Sequence, residues 1–253
     1  MKNKLIISGC SYSCHGSSPN PDANWTNVLR KKYHNDISQL SSPGQSNESI
    51  TRNIYDYIVK FKPKDSLIIC QLTYTHRMGW WHNIADKWID YQHILPIETD
   101  IITKTDKEND TTTLWYKIKT ADTRLNETMF SGRTDVVSSD EFYELNAMYL
   151  TWLKYVYNDT ETFKNLMFKI DTLSSYVKES GNKIMFIYWP NINDKYQLNE
   201  LMRRNFYNID NEYSMLKWST KNNLTDITSH LSIDGNNIFS SLINSKINGK
   251  TLV

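Results

Sequence analysis

Residues 66–72 (Ser-Leu-Ile-Ile-Cys-Gln-Leu) form a continuous apolar run. A run of this length lacks the polar alternation of a half-exposed strand, and is the pattern of a strand buried on both faces of a parallel sheet. Two more segments read the same way: Leu5-Ile6-Ile7 near the start, and 183–189 (Lys-Ile-Met-Phe-Ile-Tyr-Trp), closed by Pro190. A short strand is expected at 37–40. Helical spacing fills the gaps. Trp25, Val28 and Leu29 share one face of a helix over 22–33. After the turn Ser41-Ser42-Pro43-Gly44, a helix starting at Ser46 or Asn47 carries Ile50, Ile54, Tyr57 and Ile58 and stops before Pro63. Alternating strand and helix predicts a parallel, doubly wound α/β sheet with right-handed crossovers.

The alternation pauses after residue 72. Residues 73–140 are irregular, aromatic and polar, with a short strand predicted at 114–118. Two amphipathic helices follow. The first carries Phe142, Leu145, Met148, Tyr149, Trp152 and Val156. The second carries Phe163, Leu166, Met167, Ile170, Leu173 and Val177, and Gly181 caps it. Another helical stretch is expected near 195–206. The last helix runs from Ser232, a good N-cap, through Ile238, Phe239, Leu242 and Ile243. The chain reads as one domain over 1–253, with an inserted and mostly helical cap at about 78–180.

Bulk properties exclude several classes of function. Lys plus Arg is 29 and Asp plus Glu is 28, a net charge of +1, so no global field draws the chain to nucleic acid or a membrane surface. No stretch approaches the ~18 to 20 apolar residues of a membrane helix. Leu5-Ile6-Ile7 is too short for the ~7 to 15 apolar residues of a signal peptide, so the start reads as mature, cytoplasmic protein. The cysteines number three, an odd count with no disulfide framework, and Cys10-x-x-x-Cys14 has no second pair to complete a zinc site. No Gly-x-x-x-x-Gly-Lys or Gly-x-Gly-x-x-Gly run is present to cradle a nucleotide phosphate.

In open α/β sheets the reactive groups sit beyond the carboxyl ends of the strands. After the first strand come Gly9 and Ser11. The glycine permits a tight turn, and a serine nucleophile needs a base within hydrogen-bond reach. After the second strand come Gly44-Gln45-Ser46-Asn47. A glycine N–H and an asparagine amide suit an oxyanion, and the same residues suit a turn followed by a helix cap. Of the six histidines, His230 is distinguished by Asp226 four residues upstream, an acid able to orient an imidazole. His76 and His82 lie in the aromatic stretch after the third strand. His15, His34 and His93 have no acidic or turn context.

Gly9-Cys10-Ser11-Tyr12-Ser13, together with Asp226 and His230 just before the last helix, resembles the SGNH (GDSL-type) hydrolases. The resemblance spans both ends of the chain and residues 40–77. It implies a flavodoxin-like three-layer α/β/α sandwich with Ser11 as nucleophile, His230 as base, Asp226 as its acid and Gly44 in the oxyanion hole. Three departures are visible. Cys10 replaces the aspartate of the first block. The Asp/His spacing is four rather than three. The Gly-x-Asn-Asp block after the third strand is Gln71-Leu72-Thr73-Tyr74, so Thr73 stands where the oxyanion asparagine is expected, and Asn47 is the alternative amide. Arg77 is expected to bind an anionic group of the substrate, with Trp80, Trp81 and Trp25 against it.

The function so implied is a serine ester hydrolase that removes a small acyl group from a carbohydrate or similar ester. It needs no metal or organic cofactor. Two alternatives stand beside it: an O-acyltransferase using the same serine, and a degenerate glycan- or partner-binding protein that has lost the oxyanion asparagine.

Overall fold

The elements of the computed structural model are, in chain order, β1 (Lys4–Ser8), α1 (Trp25–Lys32), β2 (Asp36–Gln39), α2 (Asn47–Phe61), β3 (Leu67–Leu72), β4 (Met78–His82), β5 (Lys87–Tyr91), β6 (Thr99–Asp106), β7 (Thr111–Ile118), β8 (Glu127–Phe130), α3 (Asp159–Glu179), β9 (Lys183–Tyr188), α4 (Met215–Lys221) and α5 (Ile233–Ile247). The structure describes residues 4–14, 23–33, 36–42, 44–82, 87–91, 99–106, 111–118, 127–130, 147–148, 151–152, 155–190, 206–226 and 230–249. The chain divides into two compact units. The first is Met1–Pro43, Ile50–Thr73 and Met167–Val253; the second is Gly44–Ser49 and Tyr74–Leu166.

The first unit holds the parallel sheet, in the order β2-β1-β3-β9. Each pairing is parallel and in continuous register, with Ile6 opposite Ser38 on one side and Ile68 on the other, and Ile68 opposite Ile184. The apolar runs are buried as their composition predicts: Leu5, Ile6, Ile7, Ile68, Ile69 and Phe186 are inaccessible to solvent. Helices cover both faces, giving the expected α/β architecture. On α2, Ile54 and Ile58 are buried, and the Ile50 carbonyl accepts a 2.8 Å hydrogen bond from Ser8 Oγ. Tyr55 of α2 meets Tyr176 of α3 with ring centroids 4.9 Å apart. Beyond β9, single parallel bridges from Phe186 to Phe206 and from Tyr188 to Ser214 cover the sheet edge.

The pair α1 and α5 departs from the apolar stripe read in the sequence. Trp25 packs edge-on against Phe239 at 5.2 Å, but Ile238 is exposed, while Asn236 and Ser240 are buried between the helices. The reason is hydrogen bonding. Asn236 Oδ1 accepts the Trp25 backbone N–H at 2.8 Å, and Ser240 Oγ donates to the Trp25 carbonyl at 2.9 Å. These polar side chains satisfy backbone groups at the first turn of α1, so α5 turns its polar positions inward.

In the second unit, the stretch 73–140 expected to be irregular contains strands. Its described residues between 78 and 130 are strands: the antiparallel pair β4–β5 and the antiparallel sheet β6–β7–β8. The predicted strand at 114–118 is the second half of β7. The segment 111–118 (Thr-Thr-Thr-Leu-Trp-Tyr-Lys-Ile) is rich in β-branched and aromatic residues that fit a pleated surface. The predicted boundary also shifts. The second unit ends at Leu166, and the C-terminal half of α3 belongs with the sheet, where Ile170, Leu173 and Val177 are buried. Most of the predicted helix carrying Phe142 to Val156, and the helical stretch near 195–206, lie outside the described residues. Among the described residues no helix is long and apolar enough to cross a membrane.

Asn182, 5 % exposed, locks the entry of β9 to that of β3. Its Nδ2 donates to the Pro63 carbonyl at 2.9 Å and its Oδ1 accepts the Ser66 N–H at 3.1 Å. Asn182→Ala leaves both groups buried without partners, and unfolding in urea is expected to show a loss of about 2 kcal/mol.

Candidate active site

The chain turns sharply at the carboxyl end of β1. The Ser13 N–H donates to the Cys10 carbonyl at 2.9 Å and the Cys14 N–H to the Ser11 carbonyl at 3.4 Å. This tight turn is held from three sides. From β3, Gln71 Oε1 accepts the Cys10 N–H at 3.2 Å and the Ser13 hydroxyl at 3.0 Å. From β2, the Gln39 side-chain amide donates to the Ser13 carbonyl. From α1, Trp25 Nε1 donates to the Tyr12 carbonyl at 2.8 Å. Gly9 is required by close approach: a Cβ there would sit 2.8 Å from Gln71 Oε1 and 2.9 Å from Gln71 Cβ. Ser11 rides on this braced turn and is 9 % exposed.

His230 reaches the same place from the other end of the chain. A bridge between Thr225 and Leu231 closes a short loop. Within it the Asp226 N–H donates to the His230 carbonyl at 2.8 Å, and Asp226 Oδ1 accepts the His230 backbone N–H at 3.1 Å. Ser232 then caps α5, accepting the Gly235 N–H at 3.1 Å. The outcome is His230 Nε2 at 3.2 Å from Ser11 Oγ, a hydrogen bond between residues 219 apart in sequence. The carboxylate of Asp226 therefore fixes the backbone that presents the imidazole.

An aromatic column stands beside the pair. The Trp189 ring stacks on Tyr12 at 3.9 Å with an interplanar angle of 16°, and Tyr12 lies against the His230 imidazole at 4.4 Å. Tyr12 comes from the turn after β1 and Trp189 from the residue after β9, so the ring of His230 is backed by two other segments of the chain. A tyrosine face near an imidazolium stabilises its positive charge.

The other candidates fall as follows. Thr73, directly after β3, is fully buried. Gly44 has φ of 74°, a left-handed conformation that favours glycine. Asn47 is the first residue of α2, 3 % exposed, and its Nδ2 donates to the Tyr74 carbonyl at 3.4 Å. Arg77 is 4 % exposed, and its Nη1 donates to the Gln45 carbonyl at 3.4 Å. Gly44, Asn47 and Arg77 belong to the second unit; Ser11, Thr73 and His230 belong to the first. Trp80 and Trp81 lie in β4. Trp25 is corrected from a substrate-facing role: it is 1 % exposed, with its indole N–H engaged by Tyr12, and acts as core beneath the turn.

Two contributors escaped the sequence reading. Gln71 was readable as the single polar side chain inside an apolar strand, since a buried amide must find hydrogen-bond partners. The aromatic column had no local signal, because Tyr12 and Trp189 meet only through the sheet. The buried Cys70 thiol is pushed far above the usual thiol range by desolvation, so it is not a nucleophile. Among the described residues no group of His, Cys, Asp and Glu is arranged to hold a metal ion.

No protein-family profile and no curated protein sequence matches this chain. Several solved structures resemble it at low similarity, among them the following two. One is the psychrotrophic esterase EstA from Pseudoalteromonas sp., inhibited by monoethylphosphonate, at 12 % identity, TM-score 0.49 and 98 % coverage of both chains. The other is a protein assigned to the G-D-S-L lipolytic family from Desulfitobacterium hafniense, at 10 % identity, TM-score 0.40, with 96 % of this chain and 98 % of that chain covered. Both likenesses are too low to carry an activity across.

The turn should be sensitive to its buttress. Gln71→Leu keeps volume but removes the acceptor of two buried donors, and is expected to lower the urea-unfolding free energy by about 2 kcal/mol. Gly9→Ala forces a methyl into Gln71, with an expected loss of about 1 to 3 kcal/mol by the same measurement.

Proposed function

We propose that this protein is an SGNH-type serine ester hydrolase. The observation that carries the reading is the 3.2 Å separation of His230 Nε2 and Ser11 Oγ at the carboxyl end of a parallel sheet. Neutral His230 accepts the Ser11 hydroxyl proton as Oγ attacks the acyl carbonyl. The carbonyl oxygen becomes an oxyanion, which needs preorganised N–H donors. In this reading the Ser11 backbone N–H is one of them, and Thr73, in the same unit, stands in place of the asparagine of the family pattern. Protonated His230 then gives its proton to the leaving alcohol, and the acyl group stays on Ser11 as an ester. Water, deprotonated by His230, hydrolyses that ester and restores the serine.

Asp226 and Tyr12 support the imidazolium in different ways. The carboxylate of Asp226 holds the His230 backbone and adds negative charge nearby. The Tyr12 face backs the ring. Neither route requires a metal or an organic cofactor. The preferred substrate is a small acyl ester of a carbohydrate. A sugar hydroxyl replacing water in the second half-reaction would make the same serine an O-acyltransferase.

The test is covalent labelling with a fluorophosphonate probe and peptide mapping, alongside hydrolysis of acetylated sugars. Labelling is expected on Ser11 and should disappear in Ser11→Ala and His230→Ala, each with turnover lowered by at least about 10³-fold. Full hydrolytic activity in Ser11→Ala would sink the proposal. Tyr12→Leu is expected to leave the fold intact and lower kcat more than KM, read from saturation kinetics on the same ester.

A further inference from the structure

We infer that Arg77 and the N-terminus of α2 form a binding site for an oxyanion group, a carboxylate or a phosphate. The first observation is an uncompensated buried charge. Arg77 is 4 % exposed, yet its guanidinium has no ion pair among the described residues. Nη1 makes one long hydrogen bond, 3.4 Å to the Gln45 carbonyl, and Nε–H, also buried, has no acceptor. The Tyr74 ring lies 5.5 Å from the guanidinium carbon, a cation–π contact that supplies no hydrogen-bond acceptor. Arginine stays charged at any physiological pH, and a buried charge without a partner is strongly unfavourable.

The second observation is where the guanidinium sits. Gln45, whose carbonyl it touches, lies two residues before the start of α2, a 15-residue helix beginning at Asn47. The N-terminus of a helix of that length carries partial positive charge and favours an anion. Arg77, Gln45, Tyr74 and Asn47 all belong to the second unit, so the cluster is built within one body. The helix end is served in part, since Ser46 Oγ accepts the Ser49 N–H at 3.2 Å and Glu48 lies in the first turn, so the guanidinium is the main attraction for an anion. The guanidinium fork matches a carboxylate or phosphate with two parallel hydrogen bonds, which a lysine ammonium cannot reproduce.

Anion binding here is read with no ester present, so its outcome is independent of whether Ser11 hydrolyses an ester. The experiment is calorimetric titration of the full chain with sodium phosphate and, separately, sodium acetate at constant ionic strength, alongside thermal unfolding. At least one anion should bind saturably with one site, and the stronger of the two identifies the group. Arg77→Met and Arg77→Lys should each weaken it at least tenfold, the lysine because it lacks the fork. Without anion, Arg77→Met should melt at or above the parent temperature, because an unpaired buried charge has been removed, whereas a purely structural arginine would lower it. Saturable binding that survives unchanged in Arg77→Met, the absence of saturable binding of either anion up to about 10 mM, or a clear fall in the anion-free melting temperature of Arg77→Met would each overturn the assignment.

Discussion

The amide of Gln71 is the interaction on which the site depends. It sits inside a strand whose neighbours are apolar, and its Oε1 gathers the Cys10 N–H and the Ser13 hydroxyl from the turn after β1. Its Nε2 is satisfied close by, donating to the Leu72 carbonyl at 2.7 Å. The turn is thereby fastened to the centre of the sheet at the point where strand order reverses, with β2 on one side of β1 and β3 on the other. Such a switch point opens a crevice beyond the carboxyl ends. A serine on a floppy loop would not hold one distance to a histidine; here the buried hydrogen bonds remove that freedom.

The base is held by different means. His230 comes from a loop of a few residues before α5, and nothing about a short loop fixes a side chain. Three constraints act together: the backbone hydrogen bonds between Asp226 and His230, the Ser232 cap that starts α5, and the ring of Tyr12 against the imidazole. Tyr12 is itself clamped, stacked on Trp189 and with its carbonyl bonded to Trp25. Packing and hydrogen bonding converge on one rotamer of one ring.

Polar residues do more in this core than the pattern of apolar residues suggests. Asn182, Asn236, Ser240, Ser8 and Gln71 are all buried, and each bonds a backbone group at a strand or helix end. Because a buried backbone group without a partner is strongly unfavourable, these side chains specify which ends meet. Arg77 stands outside this rule, since its guanidinium is buried without a matching acceptor for Nε.

The sequence by itself determined the parallel sheet, the buried faces of α1, α2 and α3, and the turn at Gly9. These follow from local composition: apolar runs, helical spacing and a glycine after a strand. It also pointed to Ser11 and His230, though only through a resemblance between two distant blocks. Of the strands between 78 and 130 it found only the part of β7 at 114–118, because their mixed polar and β-branched composition has no strong period of its own. It misassigned Trp25 because an aromatic side chain reads the same whether it lines a cleft or fills a core. Tertiary structure alone decided that Gln71 braces the turn after β1, that Tyr12 and Trp189 back the histidine, and that His230 Nε2 lies 3.2 Å from Ser11 Oγ. The reason is physical: hydrogen bonds and ring stacking act over a few ångströms of space, and the chain positions they join are separated by up to 219 residues of sequence.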